Sequence, residues 1–144
     1  MTVQAIDVAD YILQEHGTMS AMKLQKLVYY TQAWHLVWED KELFPEEIQA
    51  WANGPVIPDL YNRHHGSFSL APQFFKGDIS RLTDKNKDVV HRVLKFYGDK
   101  DAQWLSDLTH MEQPWITARV GLADGERGSS VITMEAMAEY YSGI

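Results

Sequence analysis

The part of the sequence that most constrains the fold is residues 22–38. Their pattern predicts a helix that is apolar on most of its surface. At 100° per residue, mostly apolar side chains cover about half of its circumference. Gln25, Gln32 and Glu39 recur at a spacing of seven residues, which leaves a polar stripe only about 40° wide. The side chains of the broad surface are Leu24, Leu27, Val28, Tyr30, Thr31, Ala33, Trp34, His35, Val37 and Trp38. Other helices must wrap such a helix, so the sequence predicts a central buried helix over about 21–39.

The remaining sequence predicts more helices and very little sheet. Ser20 is suited to be the N-cap of the central helix. Helical spacing and capping residues predict further helices over 3–16, 58–65, 84–97, 101–109, 114–118 and 134–141. Short strands are predicted at 48–51 and 131–132. The fold class expected is therefore mainly α: a compact single-domain helical fold spanning 1–144, with one minor pair of short strands.

Composition excludes several classes of function. The chain has no cysteine, so it has no disulfide, no cysteine nucleophile and no thiolate zinc site. Its 20 acidic and 13 basic side chains give a net charge of −7, which repels nucleic acid and suits a basic protein partner. No stretch has the length and apolarity of a membrane span, and the N-terminal residues lack the pattern of a signal peptide. We therefore expect a cytoplasmic protein that binds neither nucleic acid nor membrane.

The histidines do not predict a metal site. His64 and His65 are adjacent, so on a helix their side chains diverge by about 100° and cannot chelate one ion. Both are expected at the surface. His35 lies on the apolar side of the central helix, where a neutral, hydrogen-bonded histidine is expected. We predict neither metal nor cofactor.

One short segment invites an enzymatic interpretation. His110 and Glu112 are separated by one residue, as in the first motif of zinc deaminases, but the cysteines that those enzymes need are missing. A small metal-independent hydrolase or nucleotide-modifying enzyme that uses His110 with Glu112 or Asp107 remains an alternative. The plainer interpretation is that this segment joins two helices, with Pro114 opening the second.

The best candidates for partner binding are aromatic and turn residues without an evident helical role. Aromatic side chains dominate protein interfaces because they bury much area at little entropic cost. For Trp51 and Trp115, packing in the core is the favoured interpretation and partner binding the alternative. Tyr29 lies near the polar side of the central helix, where an exposed ring would indicate an interface. The full set of candidates is Tyr29, Trp51, Pro55, Tyr61, His110 and Trp115.

Three separated segments carry a resemblance to a known family. They read MKLQKLVYYTQAW at 22–34, AWANGPVIPDLY at 50–61 and LSDLTHMEQPW at 105–115. Together, in this order, they resemble the Panacea domain, also named the SocA-like antitoxin or phage-associated GepA-like family. The similarity extends over roughly 19–141, which is nearly the whole chain.

The resemblance implies a small, mostly helical, non-enzymatic antitoxin of a bacterial or prophage toxin–antitoxin system. Such a protein neutralises its toxin by direct protein contact, and the toxin is expected to be the product of the adjacent gene. One member of the family also delivers its toxin to a protease, so a protease complex is a further expected partner. The identity of the toxin does not follow, because the family is paired with many unrelated toxins.

Overall fold

The computed structural model describes residues 2–144 and confirms the mainly α fold. Seven α-helices lie in these residues: α1 (Ala5–His16), α2 (Ala21–Glu39), α3 (Pro58–His64), α4 (Asp84–Tyr97), α5 (Ala102–Thr109), α6 (Gln113–Ala118) and α7 (Met134–Ser142). A 3-10 turn occupies Ile79–Arg81, and the strands are β1 (Met19–Ser20), β2 (Ile48–Trp51), β3 (Gly54–Val56), β4 (Ser69–Leu70) and β5 (Val131–Ile132). Among the residues described, no helix combines the length and apolarity needed to cross a membrane.

Helix α2 is the centre of the fold, as predicted. It begins after Ser20, whose hydroxyl accepts a hydrogen bond from the Lys23 backbone N–H at 3.2 Å, and it ends at Asp40, which adopts a left-handed conformation. Helices α1, α4, α5 and α7 all pack against it. Its Leu24, Leu27 and Val28 side chains are fully buried in the hydrophobic core.

Two residues of the polar stripe of α2, Gln25 and Gln32, face the protein interior rather than water. The side chain of Gln25 accepts from Ile57 N at 2.8 Å, and that of Gln32 accepts from Leu43 N at 2.7 Å. Gln32 also donates to the Phe44 carbonyl at 2.7 Å. These amides pair backbone groups that would otherwise be buried without partners, so the stripe fixes the chain segments that cross over the helix.

The predicted strands at 48–51 and 131–132 pair antiparallel, with Ile48 opposite Ile132. The structure adds β3 on the other side of β2, and it adds a separate pair of β1 and β4. The sheet is therefore larger than the single pair expected. A three-residue strand after a tight turn and two strands of two residues carry too few positions for a period to be recognised.

The segment between α3 and α4 is held against α1 by two buried aspartates. Asp10 accepts hydrogen bonds from Phe75 N at 3.0 Å and from Gly77 N at 2.6 Å. Asp7 accepts from Asp78 N at 2.7 Å. Of the aromatic residues in this segment, Phe75 is buried and Phe68 is exposed. The two carboxylates thus help to fix the course of this irregular segment.

Candidate partner-binding site

A cavity of about 640 Å³ opens between the start of α2, the β2–β3 hairpin, α3 and the segment before β5. Its size is within the range of sites that bind ligands or side chains. Its lining residues are Ala21, Met22, Lys26, Trp51, Ala52, Asn53, Val56, Tyr61, His64, Arg127, Gly128 and Ser129. We call it the hairpin cavity.

Two aromatic residues that the sequence singled out form one wall of the hairpin cavity. The rings of Trp51 and Tyr61 meet edge to face, with centroids 4.8 Å apart. The indole N–H of Trp51 donates to the Gln49 side chain at 2.8 Å, which fixes the orientation of the ring. Both rings are only partly buried, so they present aromatic surface that a partner can cover.

The floor of the cavity holds a lysine that the sequence analysis did not select. Only 1% of Lys26 is exposed, and burial lowers its pKa to about 8. Within residues 2–144, no carboxylate lies within 4.0 Å of its ammonium group. The sequence did contain a feature that could have predicted this lysine. Lys26 is a charged residue near the middle of a helix that is expected to be buried on all sides, so its side chain must end inside the protein.

His64 corrects the expectation that both adjacent histidines lie at the surface. His65 is exposed, but His64 is 6% exposed and its Nε2 lies 3.0 Å from Gln25 Nε2. Burial lowers the pKa of His64, and the charge of Lys26 acts in the same direction. The amide of Gln25, itself fixed by the backbone of Ile57, thus holds a neutral imidazole at the edge of the cavity.

Behind the cavity, a stacked group supports the β2 strand from below. The ring of His110 stacks on Trp115 with centroids 4.0 Å apart. The indole N–H of Trp115 donates to the Trp51 carbonyl at 2.8 Å, and Arg119 donates to the Ala50 carbonyl at 3.0 Å. Trp115 and Arg119 therefore hold the backbone that carries Trp51, while lying beneath it in the protein interior.

Glu112 does not form a pair with His110. Its carboxylate accepts hydrogen bonds from the hydroxyls of Tyr30 and Tyr141, each at 2.7 Å. Burial raises the pKa of Glu112, although the two donors partly oppose this effect. His110 Nε2 is buried without a hydrogen-bond partner within residues 2–144. Asp107, the other carboxylate of the enzymatic alternative, accepts from Gln103 Nε2 at 2.8 Å, so neither carboxylate is hydrogen-bonded to His110 in the part of the chain described.

Tyr29 and Pro55 lie in the interior. Tyr29 is 1% exposed, and its hydroxyl lies 3.0 Å from that of Tyr141. It is therefore part of the hydrophobic core, despite its position near the polar stripe. Pro55 is buried in β3, where it lies opposite Ala50. Neither can meet a partner on the folded surface.

His35 is buried as expected, with Nδ1 2.7 Å from the Lys41 carbonyl and Nε2 3.0 Å from the Asn86 amide. Burial lowers the pKa of His35, which favours the neutral ring. No group of three or more histidine, aspartate or glutamate side chains in residues 2–144 converges to hold a metal ion.

Comparison with known proteins gave one match. The model of the family described as "Antitoxin SocA-like, Panacea domain" matches residues 24–116, well over half of the chain. The match begins in α2 and ends in α6, so it includes the β2–β3 hairpin, α3 and Lys26. Neither the curated proteins nor the solved structures gave a match.

Proposed function

The chain belongs to the SocA-like antitoxin family with a Panacea domain, and from that premise we propose that it neutralises a partner toxin by binding it directly. Sequestration requires a surface that excludes water and fits the partner, and it requires no catalytic group. The observation that carries the proposal is the hairpin cavity, a concave surface whose aromatic wall, Trp51 and Tyr61, lies inside the region that the family model matches.

The proposed toxin-binding surface is the rim and wall of the hairpin cavity. Trp51 and Tyr61 supply rigid aromatic contacts, and Met22, 38% exposed at the start of α2, supplies an adaptable apolar one. Trp115 and Arg119 keep the β2 backbone in place beneath them. A preformed surface of this kind loses little conformational entropy when it binds.

Overall charge supports a protein partner that is basic as a whole. The net charge of −7 accelerates the encounter with a positively charged protein at low salt. We therefore expect complex formation to slow as ionic strength rises, because long-range attraction is screened beyond about 8 Å at physiological salt.

The test is co-expression with the protein encoded by the neighbouring gene. We expect that protein to arrest growth on its own, and this chain to relieve the arrest and to co-purify with it. Trp51→Ala and Tyr61→Ala should each weaken the complex by about 2 to 4 kcal/mol, the range of central aromatic contacts in interfaces. Phe96→Ala is the matched control, because Phe96 is 66% exposed on α4 and does not line the cavity.

Two outcomes would contradict the proposal in different ways. If the neighbouring protein does not bind this chain and its toxicity is unchanged, direct neutralisation is wrong. If Phe96→Ala weakens the complex while Trp51→Ala and Tyr61→Ala leave it intact, neutralisation stands but the toxin binds the α4 face. Circular dichroism of each variant ensures that a loss of binding is not a loss of folding.

A further inference from the structure

The hairpin cavity has the opposite charge to the chain as a whole. Acidic side chains outnumber basic ones by 20 to 13 in the sequence, yet the cavity is lined by Lys26 and Arg127 and by no aspartate or glutamate. Trp51, Tyr61 and Val56 make much of the remaining lining apolar or aromatic. The cavity is thus a positively charged recess with low-polarity walls, the environment in which a charge interaction is strongest.

The geometry of Lys26 keeps its ammonium group at the floor of this recess. Its side chain runs directly beneath Gly54: a Cβ atom at that position would lie 2.5 Å from Lys26 Cε. His64 and His110 are close enough for the Lys26 charge to help lower the pKa of each, after the larger effect of their own burial. No neighbouring carboxylate in residues 2–144 offsets the lysine. Buried charges are normally paired, and a carboxylate of a bound molecule would supply the counter-charge that Lys26 lacks.

We propose that Lys26 is the receptor for an aspartate or glutamate side chain of the toxin, which enters the hairpin cavity beside Trp51 and Tyr61 and forms a buried ion pair with the lysine Nζ. This inference rests on the proposed function. The aromatic wall suits the methylene groups of the acidic residue and its apolar neighbours. Arg127 lies in the segment before β5 and adds positive charge to the cavity.

The first experiment measures the affinity of the toxin, obtained as the product of the neighbouring gene, for Lys26→Met. Methionine has nearly the same length and no charge, and it can fill the same space. We expect the affinity to fall by about 30-fold or more, the effect of removing one partner of a buried interfacial charge pair. Lys23→Met is the matched control: Lys23 is on the same helix, donates to the Gly98 carbonyl at 2.7 Å, and does not line the cavity.

The second experiment identifies the carboxylate by double-mutant cycles. Each aspartate and glutamate of the toxin is changed to its amide, and binding is measured with wild-type Lys26 and with Lys26→Met. One substitution should lower the affinity for the wild-type chain about as much as Lys26→Met does, and it should have no further effect on Lys26→Met. A toxin lacking its C-terminal carboxylate is included, since that group has the same chemistry.

The pKa of Lys26 and the pH dependence of affinity distinguish a lysine that binds a carboxylate of the toxin from one with only a structural role. In the complex, the pKa of Lys26 followed by carbon-13 NMR of Cε should rise, because a carboxylate stabilises the ammonium form. Between pH 7 and pH 9 the affinity of the wild-type chain should fall about tenfold relative to that of Lys26→Met. In the unbound protein, Lys26 has a pKa of about 8 and therefore loses most of its positive charge over this pH range. Burial, which Lys26→Met leaves in place, lowers the pKa of His64 and of His110 below the ordinary value of 6.5, so neither ring changes its charge appreciably between pH 7 and pH 9.

The outcomes separate this inference from the proposed function. If wild-type chain and toxin do not bind at all, the proposed function is wrong and the inference with it. If they bind and Lys26→Met binds equally well, the inference alone is overturned. Coupling of Lys26 to the C-terminal carboxylate of the toxin, instead of to a side chain, would also overturn it.

Discussion

Lys26→Met should make the free protein more stable at neutral pH. In the folded chain the pKa of Lys26 is about 8, against an ordinary value of 10.5, because burial penalises the ammonium form. At 1.36 kcal/mol per pKa unit, that difference corresponds to about 3 kcal/mol of folding free energy lost at pH 7. Methionine removes this penalty and keeps most of the packing, so we expect a gain of about 1 to 3 kcal/mol.

The sign of the pH dependence follows from the same numbers. The folded state releases the Lys26 proton near pH 8, while the unfolded state keeps it until about 10.5. Between these values the unfolded chain binds more protons, so the contribution of Lys26 to stability rises with pH. The free energy lost by burying the charged form of Lys26 is fully present below pH 8 and becomes smaller as the pH rises above 8. The stability gap between Lys26→Met and wild type should therefore narrow as the pH increases from 7 to 9.5.

Chemical denaturation with urea at pH 7, 8 and 9.5 measures this gap, and thermal melting gives an independent check. For a chain of this size, 1 kcal/mol corresponds to a change in Tm of about 2 to 4 °C. Lys23→Met is again the matched control, and it should destabilise by about 1 kcal/mol because it removes the hydrogen bond to the Gly98 carbonyl. A Lys26→Met variant that melts below wild type, or a gap that does not change with pH, would refute the reasoning.

Three further predictions follow from the site. Gly54 has φ of +122°, so Gly54→Val should destabilise by about 1 to 3 kcal/mol through backbone strain and the contact with Lys26; an unchanged melting temperature would contradict this. The double variant His110→Ala, Glu112→Gln should still protect cells from the toxin when overexpressed, because mass action restores occupancy of a weakened binder. A folded double variant that binds toxin normally yet never protects would favour catalysis. Elemental analysis of purified protein should find no stoichiometric metal, and one zinc per chain retained through chelator dialysis would overturn that prediction.

The sequence predicted the helices well because periodicity and caps are local signals. The broad apolar surface of α2 and the caps Ser20, Thr83 and Thr133 placed three helices within a residue or two of their observed bounds. The two-residue strands β1 and β4 were missed because they exist only as a pairing between segments far apart in the chain. The buried Asp7 and Asp10 were missed for the same reason: their partners are backbone groups more than sixty residues away.

The candidate site was predicted in part. Trp51 and Tyr61 were selected as aromatic residues near a turn, and the structure brings them together at the cavity wall. Trp115 was selected on the same grounds but packs underneath, since nothing in the sequence distinguishes a supporting indole from an exposed one. Tyr29 was predicted near the surface because it lies beside the polar residues Gln25 and Gln32, but those residues are themselves buried. Whether a polar stripe meets water depends on which segments cross it, and that is decided by tertiary structure.

The buried polar residues of α2 differ in whether the fold supplies a partner for their side chains. Gln25 and Gln32 are buried, and each is satisfied by backbone groups of a neighbouring segment. Glu112, which lies against the same helix, is satisfied by two tyrosine hydroxyls. Lys26 is buried equally deeply beneath the hairpin cavity, yet within residues 2–144 it has no carboxylate to pair with. The fold satisfies these three buried polar side chains and leaves the Lys26 charge without a partner, which lowers the stability of the free protein. Lys26→Met should therefore stabilise the free protein but weaken its binding to the toxin. The loss of binding free energy should exceed the gain in folding free energy.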